Sequence, residues 1–321
     1  MGATNPIAAS PNRLKLGVFG LNVSSGCAMT SAPDTLRIEW AESLRIARAA
    51  EAAGIEALVP VARWRGFGGA TNFNHRSFET LTWAAGLAAA TERIGIFATV
   101  HVPTVHPVRA AKEIATIDHI SGGRFALNIV AGWNEPEYQA FGLPFDHRVD
   151  RFEEALQILG PLLREGHVDF AGQYYQARNC DIVPRGPRKE GPPLLVGSEG
   201  PRMLKLTAQY ADLWNTGYMG KPETMAEPLA KFEAACRETG RDRATVGITA
   251  LIGLWFPDLQ AKQPSFFPHP LTGTAQEIAA AMRGYAELGV QHIMFQCEPY
   301  TAESRKLLTE ALQLYRGTEQ Q

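Results

Sequence analysis

The chain has 321 residues, 45% of them hydrophobic, so it can bury a large core as either two ordinary domains or one α/β barrel. Its 31 basic and 33 acidic residues leave a formal charge of -2, which gives no footprint for nucleic acid or an anionic membrane and makes a small molecule the default partner. Cys27, Cys180, Cys236 and Cys297 lack CxxC spacing, which fits free thiols in a reducing compartment and no metal site.

The N-terminal MGATNPIAASPNR has no basic region followed by an apolar one, and no apolar run approaches ~18 residues, so a cytoplasmic protein is expected. The sequon Asn22-Val23-Ser24 is treated as a chance match. From there, short β-branched runs alternate with segments of helical period. Strands are predicted at 14–21, 57–63, 94–102, 125–132, 193–198, 212–218, 245–256 and 291–299. Helices are predicted at 40–54, 78–92, 107–120, 148–166, 201–211, 222–240, 274–289 and 301–316, several opening on Pro or a Ser/Thr cap and closing on Gly. Eight such units predict a (β/α)8 TIM barrel occupying the chain as a single domain, 1–321. A doubly wound sheet is disfavoured because no GxGxxG follows the first strand. The alternating segment 168–184 predicts a short β-hairpin insertion, and 258–273 a short proline-rich loop after strand seven, placed to cover a pocket.

In such a barrel the carboxyl ends of the strands converge on one mouth, where chemistry is done. The fourth strand carries Asn128 in an apolar run and is followed at once by Trp133, Asn134, Glu137 and Tyr138. An amide pointing into a barrel must be hydrogen-bonded, so Asn128 is either a satisfied core residue or a ligand contact. Other polar strand ends are Asn22 and Ser24, Arg63 and Arg65, Thr99 and His101, Ser198 and Glu199, and Asn215 and Tyr218. No pair has metal-ligand spacing, His106 reads as a cap, and no GxSxG elbow occurs. GSEGPRMLKL places backbone N–H groups at a helix N-terminus, a generic seat for phosphate.

RWRGFGG (63–69), SFETLTWAAGLAAATERIGIFATV (77–100), DHISGGRFALNIVAGWNEPEYQAFG (118–142) and QYADLWN (209–215) together resemble the bacterial-luciferase-like flavin monooxygenases. The likeness runs over residues 14 to 257 and leans towards the branch of pyrimidine, dimethylsulfone and alkanesulfonate monooxygenases. It implies a TIM barrel that takes reduced FMN from a separate flavin reductase, reacts it with O2 and oxygenates a sulfone, sulfonate or heterocycle. Carried over residue by residue, Ala62 and Arg63 would flank the isoalloxazine or its ribityl chain, and Asn128 would contact the ring. Glu137 and Tyr138 would hold the chain near the phosphate, which Arg148 and the backbone at Ser198, Glu199 and Gly200 would receive. Thr99 and Asn128 would shape the oxygen pocket, with a hydroxyl and an amide donating to charge as it develops there.

Trp133 and His101 complete the expected catalytic group. Trp64, Phe67, Trp133, Phe141, Trp214 and Trp255 suggest a partly apolar pocket wall, while Arg65, His75 and His101 suggest a seat for an oxyanion or polar ring. The resemblance also implies a homodimer or homotetramer. In two respects the sequence departs from the branch it resembles: the long insertion after strand seven is missing, and Val149 stands where the pyrimidine enzymes carry an aromatic residue. Two other readings stand beside this one. GSEGPRMLKLTAQYADLWN and EPYTAESRKLLTEALQLYR also resemble the deazaflavin-dependent oxidoreductases, which transfer hydride on the same barrel, and some luciferase relatives bind flavin without turnover.

Overall fold

The computed structural model describes residues 6–259 and 267–319. Eight parallel strands close into a barrel in chain order: β1 (Lys15–Phe19), β2 (Ala57–Val59), β3 (Gly95–His101), β4 (Phe125–Val130), β5 (Leu194–Gly197), β6 (Leu213–Met219), β7 (Gly247–Trp255) and β8 (His292–Glu298). The ring is sealed where β8 pairs with β1, Lys15 opposite His292 and Val18 opposite Phe295. The expected (β/α)8 barrel is therefore present, as is the hairpin, whose antiparallel strands His167–Ala171 and Gln176–Asp181 follow the helix Arg148–Arg164.

Period-two alternation sorts the strand residues. Ala57, Val59, Phe97, Ala126, Leu195, Leu213, Leu251 and Met294 form an inner cluster, with Ile7 from the turn Pro6–Ala9 joining it. Their neighbours Ile96, Ala98, Leu127 and Ile129 belong to the larger cluster between barrel and helices, where each buried Leu or Ile contributes roughly 1.5–3 kcal/mol. One inward step beyond Phe97, Ala126 and Met294 stand Thr99, Asn128 and Gln296, so the interior turns polar towards the carboxyl ends. Deeper in, His292 is fully buried and stacks on Phe97 at 6.0 Å. Neither of its ring nitrogens has a hydrogen-bond partner among the described residues, and burial holds it down at about 3.

Local chemistry accounts for the boundaries. Pro60 lacks an N–H, and β2 ends before it rather than running to residue 63. The helix Pro107–Ser121 stops on Gly122 in the left-handed region, and Arg124 reaches back to cap the carbonyls of Ala88, Thr91 and Ile94 at 2.7, 3.0 and 2.7 Å. That is the structural work of the SGGR run. Thr274 and Glu277 form a reciprocal capping box before the helix Ala275–Glu287.

Of the loop expected at 258–273, residues 260–266 lie outside the described residues; the returning part places the buried Phe267 so close to Gly253 that a Cβ there would meet its ring at 2.3 Å. Among the described residues no helix is long and apolar enough to cross a membrane.

Candidate active site

A cavity of 140 Å3 opens at the carboxyl ends of the strands, and Thr99, His101, Asn128, Trp133, Ala62 and Arg63 all line it. β3 and β4 pair with Thr99 opposite Asn128, which puts the two side chains in contact. Their hydrogen bonds have only one consistent direction. The Pro60 carbonyl can only accept, so the Thr99 hydroxyl donates to it at 2.6 Å. Thr99 Oγ1 therefore accepts from Asn128 Nδ2 at 3.2 Å, and Asn128 Oδ1 is left buried without a partner among the described residues. This amends the donor roles expected of the pair: the Thr99 proton is committed, and Asn128 offers an acceptor.

The short helix Glu135–Ala140, which period alone did not reveal, returns Glu137 beneath the rim. Its Oε1 accepts from Arg63 Nη1 at 3.1 Å and from the Trp64 N–H at 2.9 Å, while His101 Nδ1 stands 3.6 Å from Oε2. Burial pushes this carboxyl up, but His101, the Trp64 N–H and Arg63 outweigh it and hold it at about 2. Glu137 thus neutralises Arg63, whose guanidinium lies 5.1 Å from the ring centres of both Phe67 and Trp133. Phe67 and Trp133 also stack on each other at 5.9 Å.

Tyr138 is buried as well, its hydroxyl donating to the Ala131 carbonyl. Gly132 has φ +80°, and a Cβ on it would sit 2.4 Å from the Tyr138 hydroxyl oxygen. Arg148 Nη1 donates to the Gly132 carbonyl at 2.8 Å and its guanidinium covers Phe145 at 4.1 Å. Glu137 and Tyr138 consequently sit below the rim, bracing the loop that carries Trp133. The Thr207 hydroxyl donates to the Met203 carbonyl, so the Ser198 hydroxyl donates to Thr207 Oγ1 at 2.7 Å. Glu199 and Gly200 are exposed before the helix Pro201–Tyr210, with open space around Gly200.

Several expected residues fall elsewhere. Arg65 and His75 are exposed on the loop after β2 and do not line the cavity, so of the three proposed anion contacts only His101 reaches it. Of the proposed aromatic wall, Phe67 and Trp133 line the cavity; Trp64 packs edge-on against Phe141 at 5.0 Å, and Trp214 is buried against Phe232. Trp255 lines a separate depression beside Lys221 and Pro270. His106 does cap its helix, accepting from the Val108 N–H at 3.3 Å. Asn22 is buried, bonding to the Val61 N–H and to the carbonyls of Val61 and Phe78, which ties the loop after β1 to β2.

Sequence reasoning missed Cys27, Asn74, Gln296 and Glu298. The first three line the cavity, and Glu298 lies behind Gln296 with its carboxyl pushed up to about 7 by burial, partly offset by the Gln296 amide and the Met29 N–H. The polar alternation QCE at the end of β8 is the same signal that marked Asn128. A wider cavity of 580 Å3 adjoins the first, sharing Ala62, Arg63, Thr99 and His101, lined also by the predicted wall residues Trp64 and Phe141 and reaching the helices Thr80–Ala90 and Pro107–Ser121. Asn128 and Gln296 line only the smaller one, which places the converging polar atoms there. No group of three or more His, Cys, Asp or Glu suited to a metal occurs among the described residues.

Residues 14–256 match the family described as luciferase-like monooxygenase. Over 204 residues the chain is 37% identical to pyrimidine monooxygenase RutA of Stutzerimonas stutzeri (strain A1501), a match covering 61% of this chain and 56% of that protein. The chain thus spans little more than half of that relative's length. Among solved structures, a riboflavin lyase (RcaE) with modified FMN and riboflavin superposes with a TM-score of 0.83 at 17% identity, covering 96% of this chain and 92% of the other. An F420-dependent secondary alcohol dehydrogenase gives 0.73 at 20% identity, covering 94% and 99%. At those identities the two structures speak to the fold alone.

Proposed function

The chain belongs to the luciferase-like monooxygenase family, and from that premise we propose that it takes reduced FMN from a separate flavin reductase and oxygenates a small organic molecule with O2. The observation that carries this reading is Asn128 Oδ1, a buried acceptor with no partner among the described residues, in a cavity walled by Phe67, Phe73 and Trp133. An unpaired buried acceptor is costly unless a ligand brings a donor to it. Reduced flavin carries an N–H on its central ring where oxidised flavin has a lone pair, so the acceptor suits the reduced form.

Bound reduced flavin would supply the electrons that activate O2. The chain's own residues supply the rest. Thr99 fixes the Asn128 amide, Glu137 cancels the charge of Arg63, and Phe67, Phe73 and Trp133 give the cavity apolar walls. Arg148 and the backbone N–H groups of Glu199 and Gly200, at the start of the helix Pro201–Tyr210, would take the phosphate. Relatives named as pyrimidine monooxygenases favour a heterocycle as the substrate.

The test mixes anaerobic protein loaded with reduced FMN against aerated buffer in a stopped-flow spectrometer. A flavin absorbance transient that outlasts the one in free solution is expected. Preference for a reduced deazaflavin, with no oxygen consumed, would assign the chain to hydride transfer instead.

A further inference from the structure

We infer that His101 is the proton acceptor of the site: Glu137, as a positioning residue, fixes the ring with its hydrogen on Nδ1, and the bare Nε2 takes up a proton when an anionic ring binds. The tautomer requires no ligand; the anion is the reduced flavin ring of the monooxygenase reading, on which that half of the inference rests. His101 ends β3, is buried, and lines both cavities. Its Nδ1 faces Glu137 Oε2 at 3.6 Å, and Oε2 is buried with no hydrogen bond among the described residues, whereas Oε1 already accepts from Arg63 and the Trp64 N–H. Paired with Arg63, the Glu137 carboxylate is ionised and can only accept, so the nitrogen that faces it carries the hydrogen. A neutral imidazole has one N–H, so Nε2 keeps its lone pair. That nitrogen makes no hydrogen bond among the described residues. The 3.6 Å gap is of the kind that tightens when a ligand fills a site.

Charge gives the lone pair its use. Arg63 and Glu137 cancel each other, so the pair brings no net positive charge to an anionic ring. The reduced flavin ring is a weak acid, largely ionised at mildly alkaline pH, whereas the oxidised ring is neutral. The step is a single protonation: Nε2 takes H+ from solvent, and the imidazolium then stands between the negative charge of the ring and Glu137, with no other bond formed or broken. The carboxylate that fixes the tautomer also stabilises that cation, as a carboxylate does for histidine in hydrolytic triads. Among the described residues the other titratable groups are committed elsewhere. Cys27 is pushed up to about 12 and Tyr218 is raised, so both are already neutral. Towards the wide cavity, Arg109 pairs with Glu113, Glu79 caps its helix, and Lys112 donates to the Val183 carbonyl. Glu298, at about 7, is the one competitor, and it lies behind Gln296 rather than on the cavity wall.

The experiment has two arms, both on the full chain. Nitrogen NMR of ligand-free protein carrying isotope-labelled histidine, at mildly alkaline pH, reads the tautomer, with His101→Gln identifying the His101 signals. A protonated Nδ1 and a bare Nε2 are expected; the opposite tautomer, or a ring exchanging between the two, would overturn the assignment. Anaerobic calorimetry in two buffers of different ionisation enthalpy at pH 8 then counts the protons exchanged as reduced and oxidised FMN bind. The wild type should take up between about half and one proton more with reduced than with oxidised FMN, the phosphate being common to both. His101→Gln should abolish that difference, Glu137→Gln should lower it, and Glu298→Gln should keep it. Equal exchange for the two redox forms, a difference that survives His101→Gln, or one lost in Glu298→Gln instead would overturn the acceptor role. The wild-type comparison stands even where a variant does not fold. Failure to bind reduced FMN at all would sink the flavin reading and the anion with it, while the ligand-free spectrum still decides the tautomer.

Discussion

Replacing Glu137 with Gln tests the electrostatics that hold the rim together. The carboxylate is 1% exposed, its partner Arg63 7%, and the substitution keeps the shape and an acceptor for the Trp64 N–H while removing the charge. A carboxyl held at about 2 rather than 4.5 contributes about 3 kcal/mol to stability at pH 7. Breaking one side of a buried ion pair costs roughly 3–5 kcal/mol in other proteins, so two independent routes agree in size. The sign is that of a depressed carboxyl: the contribution is complete above pH 4.5 and is lost as pH falls towards 2. Urea unfolding followed by tryptophan fluorescence at pH 7, 5 and 3 should show Glu137→Gln less stable than wild type by about 3 kcal/mol at pH 7. The gap should shrink to about 1 kcal/mol at pH 3. A gap under about 1 kcal/mol at pH 7, or one that does not vary with pH, would refute the assigned cluster.

Gly132→Ala should destabilise by about 2 kcal/mol or more, because it adds a displaced Tyr138 to left-handed strain; Gly142→Ala, at φ +67° in open space, should lose only about 1 kcal/mol in the same assay. His292 stays neutral in the fold down to about 3, whereas the unfolded chain takes up a proton below 6.5, so burial of the ring removes stability as pH falls. His292→Leu should therefore lose about 1 kcal/mol less than wild type between pH 6.5 and 5.5, and parallel curves would contradict this. Of the four cysteines, Cys27 and Cys297 are buried with their thiols pushed up to about 12, and Cys236 is buried and raised. A chromogenic disulfide reagent at pH 8 should titrate Cys180 promptly and the other three only on unfolding, as read by labelled-peptide mass spectrometry.

The barrel was legible because parallel strands buried on both faces read as short continuous apolar runs, with Gly and Pro punctuating the helices between them. Asn128 stood out as the polar break in one such run, and the barrel pairs it with Thr99. The hydrogen-bond direction was not legible, since it depends on the carbonyl of Pro60, just past the end of β2, whose role only closure reveals. Glu137 was expected as a cofactor contact from family likeness; its pairing with Arg63 was not legible, because the six-residue helix that carries it is too short to announce itself by period. Cys27 and Asn74 escaped notice because long loops deliver them to the mouth at positive φ of 65° and 56°, a placement that alternation does not encode. Gln296 and Glu298 were missed for no physical reason, since the signal used for Asn128 was present in β8.

The central claim is that Asn128 Oδ1 awaits the N–H of a reduced flavin ring, and anaerobic titration with reduced and oxidised FMN tests it most directly. The account predicts reduced FMN bound at least roughly tenfold more tightly, the size expected from satisfying one buried acceptor, with Asn128→Leu abolishing the preference while the fold survives. Equal affinity for the two redox forms in the wild type, or an undiminished preference in Asn128→Leu, would contradict it.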